Sequence, residues 1–195
     1  METTSVSLLE RLASSGENAD WQKLLLIYRP FIQNVVSGYP ELMSQADDVT
    51  QEVMLVLMRE LPVFQRQRIG SFRSWLRQIT VNQLRIAARK SKKFTSTGSH
   101  DEGIVDQVEL LADPASIASK KWDEEYERVV FLRLIDLVKP NVAEKMWQAF
   151  ERYALQDQLP AKVAEDLGMS LNSVLLAKSR VLKQLRNEAK GLLDD

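Results

Sequence analysis

Nearly every patterned stretch of the chain repeats its apolar residues at intervals of three and four, and no alternating run of useful length for a strand occurs. That periodicity restricts the chain to helices packed on helices, an all-α fold. Trp21, Leu24, Leu25, Tyr28, Ile32, Val35 and Val36 trace one such face. Pro30 lies inside it and predicts a kink or a break, because proline removes a backbone donor and crowds the preceding turn. A short helix is expected before it, over residues 7–13. Val49, Val53, Leu57 and Leu61, widened by Val56, form the stripe of a second helix that Pro62 ends. A long helix is predicted over 72–92, with Trp75, Leu76, Ile79, Gln83 and Ile86 on a common face.

Composition shifts after Phe94. The stretch 94–121 is rich in Ser, Thr, Asp and Glu and contains Gly98, Gly103 and Pro114. Asp101, Glu102, Asp106, Glu109 and Asp113 make it acidic, and it reads as a linker with at most one short helical turn. Helical period then returns. Trp122, Tyr126, Val129, Val130, Leu134 and Leu137 mark one helix that Pro140 stops, and Val142, Met146, Ala149, Phe150 and Tyr153 mark another. The predicted organisation is two small helical domains, residues 1–93 and 122–195, joined by the acidic linker 94–121.

The last two helices are punctuated by capping residues. Pro160 suits a first helical position, Gly168 suits the left-handed residue after a helix end, and Ser170 suits the N-cap of the next helix. Val163, Ala164 and Leu167 face inward on the first helix, and Val174, Ala177, Val181 and Leu185 on the second. Two helices joined this way form a helix-turn-helix, whose second member is the recognition helix in DNA-binding examples. Lys178, Arg180, Lys183 and Arg186 on the outer side favour that use.

Charge is concentrated as well as patterned. Residues 59–93 hold ten cations, including Arg73, Arg77, Arg85 and Arg89, against the single acid Glu60, in a chain of net charge −1. Phe64, Phe72 and Trp75 are interleaved with them. Cations that follow a phosphate backbone, with aromatic faces beside them, suit single-stranded nucleic acid, although a solvated basic helix face over core aromatics has the same pattern. Enzyme readings find little support. The chain has one histidine, His100, and no cysteine, which excludes disulfides, thiolate metal sites and a Cys–His nucleophile pair. Its seven glycines form no phosphate-binding or dinucleotide fingerprint. No apolar run spans a membrane, no secretion signal is recognisable, and a reducing cytoplasm is the expected setting.

Two blocks carry a family resemblance. The first is Asp47-Asp48-Val49-Thr50-Gln51-Glu52-Val53, followed by Gly70-Ser71-Phe72-Arg73-Ser74-Trp75-Leu76-Arg77-Gln78-Ile79-Thr80-Val81-Asn82. The second is Leu159-Pro160-Ala161-Lys162-Val163-Ala164-Glu165-Asp166-Leu167-Gly168-Met169-Ser170-Leu171-Asn172-Ser173-Val174. Together they resemble conserved regions two and four of the extracytoplasmic-function sigma factors of bacterial RNA polymerase, a likeness covering residues 7–93 and 122–190. The resemblance implies that Asp47, Asp48, Gln51 and Glu52 dock on the clamp helices of the polymerase's largest subunit. It implies that the loop 64–71, with Arg66, Gln67 and Arg68, captures an unpaired base of the −10 promoter element. Asn82 matches a family position near the −10 bases, where an amide suits reading a base edge; Phe72, Arg73, Arg77, Arg85 and Arg89 complete that candidate set. Phe72 and Trp75, at helix spacing from Ile79, are also core candidates.

For the −35 element the resemblance points to Lys162, Asn172, Ser173, Leu175, Leu176, Ser179, Arg180, Lys183 and Arg186. Leu175 and Leu176 depart from the polar or basic residues the family usually carries there. They suit thymine methyl groups or a protein contact. The implied partners are core RNA polymerase, promoter DNA (single-stranded at −10, duplex at −35) and, in some members, an anti-sigma factor. No catalytic residue, metal or cofactor is implied. A helix-turn-helix regulator with an N-terminal sensing or dimerising domain, or a protein-binding helical adaptor, fits the second block alone.

Overall fold

The helix expected to kink or break at Pro30 runs without interruption from Asn18 to Ser37 as α2, following the short α1 (Leu8–Ser14). The donor lost at Pro30 would have bonded the carbonyl of Leu26, a residue 62% exposed, so water can take its place. Ile27, Tyr28, Phe31 and Ile32 are fully buried on either side of the proline, and their burial outweighs its cost of about 3 kcal/mol. The computed structural model describes residues 8–14, 16–65, 71–94, 101–190 and 192–193. After α2 come a 3-10 turn (Pro40–Gln45), α3 (Ala46–Glu60), α4 (Ser71–Phe94), α5 (Asp101–Ala112) and α6 (Ile117–Val138). The chain ends in α7 (Glu144–Phe150), α8 (Pro160–Leu167) and α9 (Leu171–Ala189). The fold is all-α, and no β-sheet occurs among the described residues.

The stripe on α3 is as expected: Val49, Val53 and Leu57 are buried with Leu61 just beyond them, and Val56 is half-buried. On α4 the buried face is rotated from the predicted one. Phe72, Leu76, Ile79, Thr80, Val81, Leu84, Ala87 and Ala88 face inward, Gln83 is half-buried, and Ile86 is 42% exposed. The cause is sandwiching: α4 packs against α3 on one side and α5 on the other, so its buried surface is wider than one stripe.

The stretch 94–121 was expected to be a linker with at most a short turn. Instead it holds the 12-residue helix α5 and the start of α6. Ile104, Val108 and Leu111 bury one stripe of α5, and Ser116 caps α6 by accepting the Ser119 amide at 3.0 Å.

The N-terminal and C-terminal parts share a core. Phe31 of α2 meets Trp122 of α6 edge-on at 4.7 Å between ring centroids, and Tyr126 edge-on at 5.7 Å. The Tyr126 hydroxyl donates to the Leu192 carbonyl at 2.8 Å. With that proton committed, the 3.0 Å contact between Tyr28 and Tyr126 oxygens requires Tyr28 to donate. Burial pushes the Tyr28 phenol well above its ordinary value, so it stays a neutral donor. At the far edge, Arg11 of α1 reaches Asp20 of α2 at 3.0 Å and Glu188 of α9 at 3.1 Å. Burial pushes the Asp20 carboxyl up, but hydrogen bonds and charge from Arg11 and Lys23 overcome it and hold the group below its usual range.

Because one core joins α2 to α6, Phe31→Ala should destabilise the chain by about 3–5 kcal/mol. Urea unfolding followed by helical circular dichroism and by tryptophan fluorescence should shift together. If only one signal moves, the two parts do not unfold as a unit.

Candidate nucleic-acid interface

Three of the four arginines spaced along α4 are engaged by carboxylates from α5 and α6. Arg73 reaches Asp123 at 3.2 Å and Glu127 at 2.6 Å. Arg77, only 9% exposed, reaches Asp123 at 3.5 Å. Arg85 holds both oxygens of Glu109, at 2.8 and 2.6 Å, a bidentate pair. That hydrogen bonding keeps the Glu109 carboxyl below its usual range and raises the Arg85 guanidinium. Arg89 is exposed. Asn82 is also exposed, and its side-chain oxygen accepts from Gln78 at 3.1 Å and from Arg85 at 3.5 Å. Arginine has no acceptor, so this contact assigns the amide oxygen, not the NH2, to the side facing Arg85.

The aromatic residues beside these cations are placed differently. Phe72 is 1% exposed, against Tyr28 and Phe64 at 5.5 and 5.7 Å, so it is a core residue rather than a stacking platform. Trp75 is half-buried and stacks on Phe64 at 4.5 Å. Arg66, Gln67 and Arg68 lie outside the described residues.

Asp47, Asp48, Gln51 and Glu52 are all exposed at the start of α3, and Asp47 accepts a hydrogen bond from Gln33 at 2.7 Å. Leu55 continues this stripe and is 51% exposed. The sequence reading passed over it, although its spacing of three and four from Glu52 and Gln51 was the available signal. A groove of about 490 Å³ runs from Asp48, Gln51 and Glu52 across to Gln83, Ile86 and Lys90 of α4.

At the other end, α8 stops at Gly168, whose φ of 57° and ψ of 47° are left-handed. The Met169 amide then bonds the Ala164 carbonyl at 2.8 Å, closing a Schellman-type end. Ser170 caps α9 by accepting the Ser173 amide at 3.1 Å. A small second core of Ala149, Val163, Ala164, Val174 and Ala177 holds α7, α8 and α9 together. Opposite it, Lys162, Asn172, Ser179, Arg180, Lys183 and Arg186 are exposed, and Ser173 is half-buried in the cap. Leu171, Leu175 and Leu176 are 48%, 43% and 43% exposed on the same helix. Lys178 lies over the Tyr153 ring at 4.5 Å, which commits that cation to packing.

The carboxylates Glu109, Asp123 and Glu127 were not singled out as partners for α4. The acidity of the stretch carrying Glu109 was the signal, and the pairing became visible only once α5 and α6 were in place.

Residues 24–94 match the family described as sigma-70 region 2, a span that runs from the first turns of α2 to the end of α4. No curated protein and no solved structure matches the chain. No helix among the described residues is long and apolar enough to cross a membrane.

The turn at Gly168 can be tested apart from any partner. A Cβ there would meet nothing closer than Lys145 Nζ at 4.0 Å, so only the left-handed backbone penalises a side chain. Gly168→Ala should cost about 1–2 kcal/mol in denaturant unfolding, with Gly168→Asn costing less. Equal costs would indicate that packing, not φ, makes the site glycine.

Proposed function

We propose that the chain is an RNA polymerase sigma factor of the extracytoplasmic-function type, directing core polymerase to promoters and assisting strand opening. The sigma-70 region 2 match over α2–α4 carries this reading. The exposed row of Asp47, Asp48, Gln51, Glu52 and Leu55 supports a polymerase contact, combining carboxylates for arginine partners with an apolar centre. The exposed amide of Asn82 supports contact with an unpaired −10 base, and the exposed Arg89 supports phosphate contact beside it. Extruding a base costs a few kcal/mol, which a protein site for that base offsets.

The turn at Gly168 and the exposed polar face of α9 support a helix-turn-helix that enters the major groove of the −35 element. Lys162, Lys183 and Arg186 anchor phosphates, while Asn172, Leu175, Leu176, Ser179 and Arg180 face the bases. Leu175 and Leu176 suit thymine methyls. The reaction chemistry belongs to the polymerase; this chain supplies recognition and melting, and works in the cytoplasm with that partner.

Run-off transcription with purified core polymerase and a promoter library tests the reading, since core enzyme alone should give no promoter-specific transcript. Reversing charge at Asp48 and Glu52 together should weaken binding to core polymerase, by about 1–3 kcal/mol per lost contact, with helical content retained. Unchanged affinity in a fluorescence titration would return these acids to helix-dipole compensation. Selection from a randomised −35 library should show Leu176→Arg shifting base preference. Lys183→Ala should weaken all sites alike and lower the salt slope by about one unit. The reverse pattern would mean that base reading and phosphate anchoring have been assigned to the wrong residues.

A further inference from the structure

A groove of about 520 Å³ lies where the end of α2 meets α5 and the first turns of α6. Its volume falls in the range of small-molecule sites, roughly 300–1,000 Å³. Val35, Leu110, Leu111 and Ala118 supply an apolar wall, with Tyr39 and Trp122 beside them. Leu110 is 54% exposed there, whereas Leu111, Tyr39 and Trp122 are buried. None of these residues belongs to the row of acids on α3 or to the exposed face of α9, so the groove is separate from the polymerase and promoter contacts.

The polar groups around this wall are donors in excess. The Trp122 indole N–H is buried and has no hydrogen-bond partner, a deficit that costs about 1–3 kcal/mol for a typical buried donor. The Tyr39 phenol has no partner among the described residues, and burial pushes it up to about 12, so it keeps its proton. Lys121 is exposed and makes no ion pair among the described residues. The one carboxylate lining the groove, Glu125, is taken by Arg128 at 2.6 and 2.9 Å and so leaves Lys121 uncompensated. An apolar wall beside one free cation and two unmet neutral donors calls for a guest with an apolar body and an anionic acceptor. A single lining cation is too little for an anionic membrane surface, which recruits clusters of about 4–8. We propose that this groove binds a small amphipathic carboxylate, with its aliphatic chain along Val35, Leu110 and Ala118 and its carboxylate at Lys121.

Calorimetric titration of the full chain with decanoate, kept below its micelle concentration, tests the site. Decanoate should bind once per chain, and octanoate on the order of tenfold more weakly for two fewer buried methylenes. Acetate should give no heat, and decylamine should bind more weakly than decanoate. Lys121→Met should weaken decanoate about tenfold while leaving decanol unchanged. Leu110→Asp should weaken both. Leu110 and Lys121 are exposed, so both variants should keep the wild-type circular dichroism and melting midpoint. The control Lys120→Met, exposed and outside the groove, should change neither affinity.

Decanoate binding that survives both Lys121→Met and Leu110→Asp places the guest elsewhere and overturns the site. Equal affinity for decanoate and decylamine overturns the anion. The absence of decanoate heat overturns the proposal outright, and two further measurements then name the occupant. Binding to vesicles of phosphatidylglycerol and phosphatidylcholine would substitute a membrane surface. A dimer in sedimentation that Leu110→Asp dissolves would substitute a second copy of the chain.

Discussion

The contact of Phe31 with Trp122 and Tyr126 decides whether this chain is one body or two. Those rings lie at 4.7 and 5.7 Å, edge to face, at the centre of the interface between α2 and α6. The hydroxyls of Tyr28 and Tyr126 would be costly to bury unpaired, and the Leu192 carbonyl completes their chain. With that contact made, α6 is held alongside α4, and Asp123 and Glu127 fall within reach of Arg73 and Arg77. The ion pairs follow from the aromatic packing. Exposed or half-exposed pairs of this kind are worth about 0–1 kcal/mol each, too little to hold two domains together unaided.

What the sequence revealed follows from which interactions are local. Helix period on α3, the glycine at 168 and the serine cap at 170 all act within one or two turns, and the structure has each where it was expected. Helix α5 was missed because its Ile104, Val108 and Leu111 stripe is short and shares a segment with Gly103 and several acids. Its stability comes from lying on α4 rather than from its own propensity. Pro30 was over-read for the complementary reason, since burial on both sides of a helix can outweigh one missing donor. The rotated face of α4 belongs to the same class: Ile86 is apolar and in register, yet only the arrival of α5 decides which side of α4 is inside.

The candidate sites divide the same way. Exposure of Asp47, Asp48, Gln51 and Glu52, and of the outer face of α9, could be read from helical register alone. Leu55 escaped because a single exposed leucine on a helix is ordinary, and it gains meaning only beside a row of carboxylates. Arg73, Arg77 and Arg85 were legible as a row of cations. That the row is already neutralised was not, because its partners lie between 24 and 54 residues further along the chain.

Energetics indicate how firmly α6 is held on α2. Separating α6 from α2 exposes Phe31, Tyr28, Trp122, Tyr126, Val130 and Leu134, all buried in the closed state. At roughly 1.5–3 kcal/mol each, that separation costs about 9–18 kcal/mol as an upper figure, since an open state can rebury part of the surface. Non-specific DNA contacts at physiological salt supply about 5–8 kcal/mol, which does not cover it. A protein interface of nanomolar strength supplies about 12 kcal/mol, which falls within that range. Non-specific DNA contacts alone therefore leave α6 on α2. The buried rings between α2 and α6, rather than the ion pairs that Glu109, Asp123 and Glu127 make with the arginines of α4, set whether the two parts stay together.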